Sequence, residues 1–143
     1  MTGISSRLPY STELGYAERT TSDTTTNTTL ASAPSNKISG MSVTVIGTGQ
    51  PVSVEFFCPY GFHSVADGNV TTTLVINGSA TGAQFASTAN HATNIGQLIV
   101  LKRRLVLTAG TSYTFEIGKS ITGAGTGTWA ASTDAPMHLA VTR

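Results

Sequence analysis

A chain of 143 residues with eight basic and seven acidic side chains carries a net charge of +1, which leaves no electrostatic footprint for DNA or RNA. Charged residues make up only 10% of it, against about 25% in an ordinary domain; threonine takes their place at 25 positions, a β-branched bias suited to half-exposed sheets. The length fits one domain around one core. The single cysteine, Cys58, excludes an intrachain disulfide, and no segment reaches the run of about 18 apolar residues that a membrane span needs.

Residues 1–15 read as a polar N-terminal arm with isolated anchors, Leu8, Tyr10 and Leu14, beside Arg7, and Pro9 disfavours a helix there. The arm is either a frayed terminus or a segment that docks on a partner. It lacks an apolar stretch of the secretory kind, so the expectation is folding in a cytoplasm. From residue 16 to 143 the chain reads as a single β-sandwich domain.

Tyr16 to Ser22 is the first expected strand, and the threonine-rich run from Thr24 to Leu30 an edge strand. Ala33 to Asn36 is a turn. Met41 to Ile46 alternates as a strand and ends at Gly47-Thr48-Gly49-Gln50-Pro51. The clearest strand follows at once, with Val52, Val54, Phe56 and Cys58 on one face and Ser53, Glu55 and Phe57 on the other; the two are expected to pair as a hairpin. Val70 to Ile76 is next, and Asn77-Gly78, the best two-residue turn signal in the chain, pairs it with about Ala80 to Phe85. Residues 87–97 form a polar loop. Leu98 to Leu107 is one long strand or two broken at the arginines. Tyr113, Phe115 and Ile117 face inward, Gly118 to Gly127 reads as a loop, and Met137, Leu139 and Val141 alternate in the final strand. Eight to ten strands without an intervening helix define an all-β, jelly-roll-like antiparallel β-sandwich.

Chemistry-bearing patterns are weak. The serines include no Gly-x-Ser-x-Gly elbow, and His63, His91 and His138 lie in no motif; His63 is expected at the surface or an interface. One cysteine and the wrong histidine spacing exclude a zinc site. Glu55 and Glu116 point away from the core and read as solvated rather than as a glycosidase pair. Gly123 to Gly127 lacks the Gly-Lys-Ser/Thr ending of a phosphate loop, and Asp67-Gly68-Asn69 lacks the remaining oxygen ligands of a calcium loop. No catalytic, cofactor or metal residue is assigned, and the chain reads as a non-enzyme. Lys102, Arg103 and Arg104 form the one basic run, a solvated strand edge or, for the arginines, a subunit contact. Phe56-Phe57 puts rings on both faces of one strand, so the outer face needs cover, which points to Phe57, Arg103 and Arg104 at a homo-oligomer interface. Trp129 reads as a core plug, with a carbohydrate-stacking platform as the alternative.

Glu13-Leu14-Gly15-Tyr16-Ala17-Glu18, the threonine-rich strand, Gly40-Met41-Ser42-Val43-Thr44-Val45 and Pro51 to Phe57 together resemble the small β-sandwich virion proteins of tailed bacteriophages that infect actinobacteria, of the head-decoration and minor-tail type. Leu107 to Phe115 resembles their penultimate hairpin. The likeness spans residues 13–58 and, more loosely, 98–117, and it carries no functional residue across. It implies a non-enzymatic virion component, a trimer foremost, assembled in the host cytoplasm, whose partners are itself and the major capsid or tail proteins, with no nucleic acid or membrane. A chain that begins at Met1 without fibre or coiled-coil repeats fits a capsid decoration (cement) protein on the outside of the head. The alternative is a minor tail protein or a carbohydrate- or receptor-binding module of the tail, in which Trp129 or Tyr60 stacks on a sugar.

Overall fold

A computed structural model describes residues 12–29, 36–86 and 95–143, with the backbone alone over 81–86. Among the described residues there is no α-helix, hence none that is long and apolar enough to cross a membrane. The described residues form ten strands in the order β1 (Glu13–Arg19), β2 (Asp23–Thr25), β3 (Lys37–Ile46), β4 (Pro51–His63), β5 (Asn69–Ile76), β6 (Ser79–Ala86), β7 (Gln97–Val106), β8 (Ser112–Thr122), β9 (Gly127–Ala130) and β10 (Met137–Thr142). All pairings are antiparallel.

The strands form two sheets that face each other across one core. The second sheet has the order β3-β8-β5-β6. In the first, β4 pairs with β7 along one edge, and along its other edge with β10 over Ser53–Phe57 and with β9 over Tyr60–His63. β1 then lies on β10 and β2 on β9. Two of its rows are thus interrupted strands, and the sandwich is four rows on four. The strand count is that of the jelly roll expected from alternation, and the connectivity, which alternation does not specify, is also of that kind. The core holds Val52, Val54, Phe56 and Cys58 of β4, Phe115 and Ile117 of β8, and Met137, Leu139 and Val141 of β10. The expected hairpin at Asn77-Gly78 is present, both residues having positive φ (49° and 80°) as a type I′ turn requires.

Several expectations are corrected. β1 begins at Glu13, so the sandwich takes in residues assigned to the arm, and Leu14 packs against the core. Arg7, Leu8 and Tyr10 lie outside the described residues, as do most of the turn at 33–36 and the loop at 87–94. β3 and β4 do not form a hairpin: they belong to opposite sheets. Both bury their even or odd face in the same core, so the chain between them must arch from one sheet to the other. The arch is tied to the β7–β8 connection, with the Gly47 amide donating to the Thr111 carbonyl at 2.8 Å and the Gly110 amide to the Gly47 carbonyl at 2.8 Å. A Cβ on Gly47 would lie 2.1 Å from the Thr108 carbonyl oxygen, which is why the arch needs glycine there. β7 is a single strand through the basic run. β8 continues through Gly118 to Thr122, where a loop was expected, because β5 hydrogen-bonds it from Ile76↔Phe115 to Asn69↔Thr122.

Candidate functional site

The outer face of the first sheet is built from residues that the strand register sets in rows. One row reads Glu18, His138, Phe57, Val100; the next Tyr16, Ala140, Glu55, Lys102; the third Glu13, Thr142, Ser53, Arg104. The Phe57 ring stacks on His138 with centroids 5.2 Å apart, and His138 stacks on Tyr16 at 5.8 Å, so three rings span three strands. The cover predicted for Phe57 is in part this intramolecular stack, and the ring is half-buried.

The outer edges of this face differ in charge. On β1, Tyr16 donates its hydroxyl to Glu18 Oε2 at 2.6 Å. That hydrogen bond, with slight burial and the charges of Glu18 and Glu13, pushes the phenol up to about 12. On β7, well-exposed Lys102 lies 3.4 Å from partly exposed Glu55 across the sheet. Arg104 is exposed and has no acidic partner among the described residues. Arg103 sits opposite buried Val54 and is half-buried on the core-facing side of β7. The two arginines therefore point to opposite faces, and the basic run is not uniformly solvated. Leu98, Val100 and Val106 share the outer face with Lys102 and Arg104 and are exposed, Val106 at 68% and Leu98 at 58%.

Interior polar groups serve the fold. Lys119 projects from β8 on the same side as Phe115 and Ile117 and crosses to the opposite sheet, where its Nζ meets Asp23 Oδ1 at 2.5 Å and the Thr24 carbonyl at 2.8 Å. Asp23 also accepts from the Ser39 amide at 2.9 Å and lies 3.6 Å from Arg19. Burial raises the Asp23 carboxyl, but the Lys119 hydrogen bond, the Ser39 amide and the two nearby cations outweigh it and hold the group below its ordinary range. This clasp escaped the sequence because Lys119 lies between Gly118 and Ser120, where no alternation marks a face. Glu116 is bound by Lys37 at 2.6 Å on the outside of the second sheet, whereas Glu55 is on the outside of the first. The two glutamates do not form a pair.

A β-bulge at Pro59-Tyr60 reverses the inside and outside of β4 for its last residues: Cys58 pairs with Ile99 and Gly61 with Gln97, so β4 spends one residue more than β7. The consequence is that His63, expected at the surface, is buried at 1% exposure, its Nδ1 3.1 Å from both the amide nitrogen and the carbonyl oxygen of Val65. Tyr60 is turned outward instead. Its hydroxyl accepts from the Gly96 amide at 2.9 Å, and a Cβ on Gly96 would fall 2.5 Å from its Cζ, so one ring face is pressed on backbone. Beside it, where β9 gives way to β10, a shallow groove of about 200 Å³ is lined by Pro59, Tyr60, Ala130, Ala131, Ser132 and Ala135. Trp129 cannot serve as a sugar platform: it is fully buried, and its Nε1–H donates to Thr72 Oγ1 at 2.8 Å. Cys58 is buried as predicted, its thiol pushed up to about 11 by desolvation against the weaker opposing contacts to the Tyr60 and Ala130 carbonyls. Among the described residues no three His, Cys, Asp or Glu side chains gather as a metal site.

No protein-family profile matches the chain, and no characterised protein matches it in sequence. Among solved structures it is similar to the Eiger TNF of S. frugiperda, at 15% identity over 87% of this chain and 90% of that one, with a TM-score of 0.49. It is also similar to the C-terminal domain of EclA, a sugar-binding protein, at 11% identity over 87% and 77% with a TM-score of 0.43, and to a family 35 carbohydrate binding module from Clostridium thermocellum, at 7% over 90% and 96% with a TM-score of 0.38. Each is a likeness of overall fold.

Proposed function

We propose that this protein is a non-enzymatic structural component of a tailed-phage virion, a homo-oligomeric capsid decoration protein whose segment ahead of β1 grips the shell. The observation that carries the association is the concentration of exposed apolar side chains at one strand: Ile95, Leu98, Val100 and Val106 lie on or just before β7. An edge strand with that surface favours a covering partner. The virion assignment is supported by the resemblance of Glu13–Glu18, Gly40–Val45 and Pro51–Phe57 to the phage proteins. Quantifying the chain against the major capsid protein in purified particles tests it: hundreds of copies per particle fit a decoration protein, and a handful fits a tail protein. Deleting residues 1–11 spares the Thr12–Arg143 backbone pair that closes the first sheet. The truncated protein is expected to remain a folded oligomer and to lose particle binding.

A second reading rests on the Tyr60 groove, where a fixed aromatic side chain and Ser132 line a mostly apolar depression with Pro59, Ala130, Ala131 and Ala135, an arrangement suited to a pyranose ring. There Tyr60→Ala abolishes retention on host cell-wall glycan while the truncation at residue 11 leaves it intact.

A further inference from the structure

The first sheet ends in two edge strands of opposite charge. Its row order is β1, β10 (continued by β9), β4, β7, so among the described residues β1 and β7 are its two borders. On the outer face β1 presents Glu13 and Glu18 with half-exposed Tyr16, and β7 presents Lys102 and Arg104 with Leu98, Val100 and Val106. Beside Arg104, a groove of about 460 Å³ also receives Lys102, Arg143, Ser53 and Thr142, a set of three cations and two hydroxyls. Arg143, like Arg104, has no acidic partner among the described residues.

Three antiparallel steps separate the borders, so β1 and β7 run in opposite directions. A second copy set alongside in the same sense therefore brings its β1 antiparallel to the first copy's β7, the arrangement that continues an antiparallel sheet. The rows align as well. Arg104 shares a row with Glu13, Lys102 with Tyr16, and Val100 with Glu18. At zero shift the second copy's Glu13 comes beside Arg104, and its Glu18 lies diagonally across from Lys102, at a separation that long side chains reach. The same charges act against the competing contact, since two β7 strands laid together place basic residues against basic residues.

We propose that copies of this chain associate head to tail, the basic β7 edge of one against the acidic β1 edge of the next. Such a contact is heterologous, and it closes as a ring when the rotation between copies divides a full turn. The proposal rests on the reading of the protein as a homo-oligomer and names the surface that makes it.

Light scattering and sedimentation of the full chain test this with charge reversals at exposed positions, each variant checked for an unchanged β-type circular dichroism spectrum. Arg104→Glu and Glu13→Arg should each weaken association about a hundredfold or more, because like charges then face each other at the contact, and the two combined in one chain should restore it. Lys102→Glu with Glu18→Lys should behave in the same way. A wild-type oligomer whose mass the single reversals leave unchanged overturns the edge-to-edge contact while leaving association standing. Single reversals that dissociate it without rescue in the double variant overturn the assigned pairs. A wild-type monomer at high concentration overturns both this proposal and the homo-oligomer reading beneath it.

Discussion

Lys119 and Lys102 are the same side chain on two strands of one sandwich, and the fold treats them oppositely. Lys119 leaves β8 toward the interior, is 7% exposed, and closes on Asp23 and a backbone carbonyl of the other sheet. Lys102 leaves β7 toward solvent, is 64% exposed, and faces Glu55 at a looser 3.4 Å. The first charge has given up its water and depends on one carboxylate to replace it. The second keeps its water, contributes little to the stability of its own chain, and remains available to a neighbour. Buried charge here joins the two sheets, and exposed charge is left to mark an edge.

The largest break in this comparison comes from removing the buried partner. Asp23→Ala strands the Lys119 ammonium inside the sandwich and should lower folding stability by about 3–5 kcal/mol, read as a urea midpoint. Replacing the pair together, Asp23→Leu with Lys119→Met, removes the stranded charge and should recover most of that loss.

Acid provides a graded version of the same experiment. The folded Asp23 carboxyl titrates below its ordinary value of 3.8, so the stability that it contributes is fully present above that value and is lost as pH falls through the lower, folded one. Urea midpoints followed downward from neutral pH should begin to lose this contribution only once the ordinary carboxylate range is reached. In Asp23→Asn the decline below that range should be shallower than in the wild type.

The exposed edges respond more weakly. In a spectrophotometric titration one of the four tyrosines should ionise near about 12, and Glu18→Gln should bring it back toward 10.0, since the hydrogen bond to Glu18 is the largest cause of the shift. Smallest of all, Lys102→Ala and Arg104→Ala should each change the folding stability of the dissociated chain by no more than about 0.5 kcal/mol. A loss there comparable to that of Asp23→Ala would erase the distinction between the two regions.

Much of this molecule was readable from alternation and turn chemistry. The period of two placed Val52, Val54, Phe56 and Cys58 on the core face of β4 and Met137, Leu139 and Val141 on that of β10, and Asn77-Gly78 marked its hairpin, because these features depend on neighbours a few residues apart. The parity of β7 also put Leu98, Val100, Lys102, Arg104 and Val106 on one side, but with Ile99, Leu101 and Leu105 on the other it did not say which side was core.

Partnership over long separations was settled by the folded sandwich. Alternation marks a strand's inner face without naming its sheet, so β3 and β4 look like a hairpin until the hydrogen bonds of β3 to β8 and of β4 to β10 and β7 divide them. One extra residue at Pro59-Tyr60 reverses every side chain beyond it, which buries His63, expected at the surface, and leaves Tyr60 turned outward. Lys119 is buried because Asp23, 96 positions earlier in the chain, is brought to meet it. Local sterics marked most of the strands and the inner faces of β4 and β10; hydrogen-bond partners that meet only in the folded sandwich determined which strands pair, where the ladder slips, and which charges remain outside.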